Sequence, residues 1–87
     1  MNPRVVTVIP HENYSLHILF DNNEWRVFDV KPYLERGIFK QLKNQDLFNT
    51  VVVNDGTVLW QNEADFCPDT LYELSIVLNE LSEQNKR

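Results

Sequence analysis

Residues 60–81 read WQNEADFCPDTLYELSIVLNEL, and the fold turns on how this stretch is parsed. Leu71, Leu74, Leu78 and Leu81 recur at spacings of three and four, with Tyr72 and Ile76 widening the stripe, which is the pattern of an amphipathic helix. Pro68 suits a first helical turn, and Asp69 and Glu73 favour its positive end; Thr70 with Glu73 offers a later start as a capping box. The spacing predicts one helix over residues 68–81, the longest in the chain, that covers a small sheet and closes the core. Ahead of it Trp60 ends a strand, and residues 61–67 form an acidic loop with Glu63, Asp65 and the sole cysteine, Cys67.

Working outward, residues 4–9 (RVVTVI) are a β-branched run stopped by Pro10, a first strand. Residues 14–20 alternate, with Tyr14, Leu16, Ile18 and Phe20 on one face and Ser15, His17 and Leu19 on the other. A two-residue turn at Asn22-Asn23 predicts a hairpin that pairs Phe20 with Trp25, Ile18 with Val27 and His17 with Phe28, placing Trp25 in the core. Pro32 and Gly37 bracket a helical turn or two, and Ile38, Phe39, Leu42, Leu47 and Phe48 mark a second short helical stretch that must pack. Asp55-Gly56 signals a two-residue hairpin pairing Val53 with Val58 and Val51 with Trp60. The reading is an α+β domain: antiparallel β-hairpins in a meander, short middle helical turns, and a C-terminal helix packed on the sheet. One domain is expected over residues 1–87, with its core at about 4–81 and a frayed tail at 82–87.

Eighty-seven residues leave a marginal core, so large side chains must be dense; five Phe, three Tyr and two Trp supply them. The net charge of −5 is uneven. Residues 1–43 carry six basic and five acidic side chains, whereas residues 44–87 carry eight acidic and two basic ones. An acidic half repels phosphate, which argues against direct nucleic-acid binding and suits either a basic partner or a plainly solvated surface. No apolar run approaches the length of a membrane span, and the N-terminus lacks the apolar run of a signal peptide. Together with a single cysteine this reads as cytoplasmic.

Chemistry is sparse. His11 and His17 lie six apart on different elements, with no spacing of a zinc site, and no cofactor is implied; Gly37 and Gly56 form no phosphate-cradling loop. Cys67 precedes a helix, which favours a thiolate, but Asp65 and Asp69 oppose it. Glu63, Asp65 and Asp69 could divide acid and base roles, which is the enzyme or small-ligand alternative; the simpler reading has Asp65 and Asp69 accepting from loop and helix amides. No catalytic residue is assigned. The first strand, poor in charge, is an edge suited to a protein partner or a second copy of the chain.

Phe28-Asp29-Val30, Gly37-x-Phe39-x-x-Leu42, Phe48, Trp60, Asp65, Pro68 and Leu71-Tyr72-Glu73 together resemble a bacterial family known as domain of unknown function 2442. Residues 14–20 match its Tyr-x-Leu-x-x-x-Phe strand, and Trp60 through Tyr72 its Trp, Asp and Leu-Tyr spacing. The resemblance implies this same fold and makes Asp29, Trp60, Asp65 and Tyr72, with Cys67 and Asp69 beside them, the positions to follow. It attaches no catalytic or ligand residues to them. Some relatives precede a helix-turn-helix domain, which suggests a transcription-associated role, and others stand beside a second small protein in an arrangement like a toxin–antitoxin pair. Where many relatives place glycines, this chain has Asn23 and Ala64.

Overall fold

A computed structural model describes residues 2–78. Strands β1 (Val5–Pro10), β2 (Ser15–Phe20) and β3 (Trp25–Asp29) form an antiparallel meander. Two 3-10 segments follow, Lys31–Tyr33 and Gly37–Lys43, then a single turn of helix, α1 (Gln45–Phe48). Strands β4 (Val52–Asn54) and β5 (Thr57–Leu59) make a separate two-stranded sheet, and helix α2 (Pro68–Leu74) leads into a two-residue strand, β6 (Ile76–Val77). The larger sheet has the order β1-β2-β3-β6. The fold is α+β, as the sequence predicts.

The final helix is shorter than its leucine spacing suggests. It stops at Leu74, Ser75 adopts an extended conformation (φ −89°, ψ 165°), and Ile76 and Val77 pair with Val27 and Arg26. Leu71 is fully buried and Tyr72 packs against the core, but Leu74 and Ile76 are 61% and 51% exposed, so the described part of the stripe does not stay on one buried face. β-branched Ile76 and Val77 favour the ladder over a helix. The expectations for Leu81 and for the tail at 82–87 lie outside the described residues.

Three loops repeat one design. In residues 11–15, 20–24 and 60–64 the first residue's N–H donates to the fifth carbonyl at 2.9–3.0 Å, and the fourth N–H donates back to the first carbonyl at 2.9–3.1 Å. The fourth residue is left-handed each time: Tyr14 (φ 63°), Asn23 (φ 68°) and Glu63 (φ 72°). The third is always asparagine, whose Oδ1 accepts from the fifth residue: Asn13 from the Ser15 hydroxyl, Asn22 from the Glu24 amide, Asn62 from the Ala64 amide. These are three-residue hairpin loops with a left-handed closing residue.

That loop corrects the first hairpin. Leu16 pairs with Phe28, His17 with Val27, Ile18 with Arg26 and Leu19 with Trp25, one residue away from the predicted register. A one-residue slip exchanges faces. Arg26 therefore joins Ile18 on the inner face, while Trp25 sits half-buried on the outer one with Leu19. The second hairpin has the predicted register, Val53 opposite Val58, with Asp55 and Gly56 both at positive φ. At φ 80° Gly56 holds a conformation that strains any other residue, and a Cβ there would also displace the Arg4 guanidinium, 2.2 Å away at Nε.

The core lies between the inner face of the large sheet and everything that follows β3. Leu16, Ile18, Phe20 and Phe28 meet Val30, Leu42, Phe48, Val58, Trp60, Phe66 and Leu71. Phe66 touches Phe28, Tyr33, Phe39 and Trp60 through ring contacts of 4.8–5.9 Å between centroids. Two carbonyls of the middle segment are held by aromatic side chains: Phe48 by the Trp60 indole N–H at 2.9 Å, and Lys43 by the Tyr14 hydroxyl.

The left-handed residue at Glu63 is exposed and carries the steric cost of a Cβ in that conformation, roughly 1–2 kcal/mol. Glu63→Gly should therefore stabilise the protein by up to about 1 kcal/mol in urea unfolding, against the usual sign for glycine. A loss of stability would contradict this loop geometry.

Candidate functional site

The acidic loop does not assemble a site. Asp65 is exposed; its backbone bridges to Leu59, and its carboxylate has no hydrogen-bond partner among the described residues. Among the described residues the Asp69 carboxylate accepts only from the Asn2 side chain, at 3.2 Å, and Glu73 accepts from the same amide at 2.9 Å. Neither Asp65 nor Asp69 accepts from a loop or helix backbone amide among the described residues, contrary to the sequence reading. Asn62 does that work: besides the Ala64 amide it holds the 3-10 segment, donating to Gln41 Oε1 at 2.9 Å and the Ile38 carbonyl at 3.4 Å. Cys67 is exposed and sits at the N-cap of α2, with its carbonyl accepting from Leu71 N–H at 3.1 Å and no side-chain cap. Trp60 is buried core. Asp29 is exposed on its own strand, accepting from the Lys31 amide at 3.0 Å and pairing with Lys31 Nζ at 3.1 Å, which starts the first 3-10 turn.

Tyr72 belongs to a polar corner that the sequence does not announce. The Arg26 guanidinium lies 4.2 Å from the Tyr72 ring centroid, donates from Nε to Ser75 Oγ at 2.7 Å and from Nη2 to the Ser75 carbonyl at 3.0 Å, and pairs with Glu24 Oε1 at 3.1 Å. The Tyr72 hydroxyl donates to the same Glu24 oxygen at 2.7 Å, and Ser75 Oγ donates to the Tyr72 carbonyl at 2.9 Å. Phe20 supports the ring edge-on at 5.0 Å. Every group is engaged, so the corner builds structure and leaves no open position for a substrate.

The unassigned surface is on the other side of the sheet. Thr7 and Ile9 of β1, His17 and Leu19 of β2, Trp25 and Val27 of β3 and Ile76 of β6 share that outer face by their pairing. None of them is buried, and Ile9 and Ile76 are 44% and 51% exposed. At one end a shallow cavity of about 400 Å³ is lined by Asn13, Ser15, His17, Val27, Asp29, Lys31, Leu74 and Ile76. Its lining includes none of Glu63, Asp65 or Asp69. His11 and His17, which the sequence leaves apart, meet beside it with ring centroids 3.8 Å apart and planes at 35°. Partial burial, then the proximity of His11, lowers the pKa of His17. The sequence signal for this pair was positional: two histidines diagonal to one another across a short hairpin.

The family model described as protein of unknown function (DUF2442) matches residues 5–77. The chain belongs to this family. The match spans both sheets and ends at the last residue of β6, so the corner around Arg26 and Ser75 lies wholly inside it. Nothing among the curated proteins or the solved structures matches the chain. No helix among the described residues is long and apolar enough to cross a membrane, and no group of three or more His, Cys, Asp or Glu among them could hold a metal ion.

The corner carries a pH signature. Hydrogen bonds from Tyr72 and Asn22, and the neighbouring Arg26, hold the Glu24 carboxyl below its ordinary value of 4.5. A carboxylate with a depressed folded-state pKa stabilises the fold above its unfolded value and loses that contribution as pH falls through the folded one. The melting temperature of the protein should fall below about pH 4.5, and Glu24→Gln should flatten that fall. An unchanged acid profile in the variant would show that Glu24 contributes nothing to it.

Proposed function

We propose that this member of the family is a non-catalytic protein-interaction domain that docks a separate protein chain on the outer face of its four-stranded sheet. The observation that carries this reading is the row Ile9, Leu19, Trp25, Val27 and Ile76, apolar across all four strands and buried at none of them. A sheet face that only met water would alternate to polar residues at these positions. Trp25 at its middle is the residue type that anchors interfaces. The overall charge of −5 favours a basic partner and speeds its approach. In this reading the chain is the smaller member of a two-gene, toxin–antitoxin-like pair acting in the cytoplasm, where a solitary exposed thiol stays reduced. The acidic balance counts against direct DNA contact.

The alternative, a small-ligand or catalytic site at residues 63–69, loses its support because those carboxylates are exposed and do not converge on the described cavity.

The test is co-expression with the product of the adjacent gene in the native genome, followed by size-exclusion chromatography with light scattering. A stoichiometric complex is expected, weakened by Ile9→Lys and reduced by at least about 2 kcal/mol by Trp25→Ala, with circular dichroism of both variants unchanged. A homodimer of the chain alone would reassign the face to self-association. A complex indifferent to both substitutions would move the interface elsewhere.

A further inference from the structure

Several polar groups around the outer-face cavity are already engaged. The Ser15 hydroxyl donates to Asn13 Oδ1 at 2.6 Å, and Lys31 Nζ reaches both Asp29 at 3.1 Å and the Asn13 carbonyl at 3.3 Å. The rings of His11 and His17 make no hydrogen bond among the described residues, yet they lie 3.8 Å apart. Their positions are set by the backbone. His11 N–H donates to the Ser15 carbonyl at 3.0 Å across the first asparagine loop, and His17 is fixed two residues further along β2 opposite Ile9. A hairpin thus brings the two imidazole rings side by side before any ligand arrives, so chelation needs rotation of the side chains but no rearrangement of the backbone.

We propose that His11 and His17 form a two-imidazole chelate for a divalent ion of the nickel–copper–zinc group. Imidazole suits these ions, whereas calcium and magnesium call for sets of oxygen ligands. The neutral ring is the ligand form, and the partial burial of His17 disfavours its charged form. The rings turn from their tilted stack so that one nitrogen of each faces the ion. No third side chain of a usual metal-binding type joins them among the described residues, so water or a donor from a docked chain completes the coordination. The site stands apart from the docking reading, since it needs no partner to be measured.

Zinc chloride titrated into the full chain at neutral pH tests it, followed by calorimetry and by long-range proton–nitrogen NMR of the histidine rings. One equivalent should bind saturably, with ring nitrogens of both histidines shifting together. Each of His11→Asn and His17→Asn should weaken binding by at least the roughly tenfold that loss of even an outer-shell partner costs, and Cys67→Ser should leave it unchanged. The substitution at His11 lies in the loop and keeps the test valid if the strand substitution perturbs folding. Absence of saturable binding, shifts confined to one ring, or an His11→Asn variant that binds as the parent does would each overturn the proposal.

Discussion

Arg26 points its guanidinium into the inner side of the large sheet, with only 13% of the side chain exposed. A charge in that position must be given hydrogen-bond partners or the fold loses several kcal/mol. Most of those partners come from the C-terminal arm: the Ser75 hydroxyl and carbonyl, and the face of Tyr72, with Glu24 completing the set. Hydrogen bonds to a charged group are worth about 1.5–3 kcal/mol each, enough to outweigh another turn of helix whose next residues are β-branched. The helix ends at Leu74 for this reason, and the chain turns into a fourth strand beside β3.

The same contact decides what faces solvent. Because β6 pairs with β3, Ile76 extends the outer face to a fourth strand, and Leu74 forms one wall of the cavity beside His17 and Val27. A continuous helix would have left that face three strands wide. The inner face is fully engaged by Trp60, Phe66, Phe48 and Leu71, so the outer face is where the fold offers a surface.

Much of this was legible in the sequence. Asp55-Gly56 marked the second hairpin with its register, since two successive left-handed residues admit few other answers. The alternation of residues 14–20 located the inner face. The register of the first hairpin was missed because Asn22-Asn23 reads as a two-residue turn, while the loop takes Asp21 as well and leaves only Asn23 left-handed. The threefold asparagine at the third loop position, Asn13, Asn22 and Asn62, was the missed clue. In each loop the residue after that asparagine is the left-handed one: Tyr14, Asn23 and Glu63. The helix was overextended because leucine spacing alone carries no information about an arginine on a distant strand. Asp65 and Asp69 looked like a site by composition, but side-chain convergence is a tertiary property, and the two histidines that do converge are separated by a loop.

The break at Ser75 is the claim on which the rest stands, and NMR of the unmodified protein tests it directly. Cross-strand contacts between Val27 and Ile76, with extended-chain carbon shifts at Ile76 and Val77, are the predicted result. Sequential helical contacts running unbroken from Leu71 through Leu78 would contradict the account.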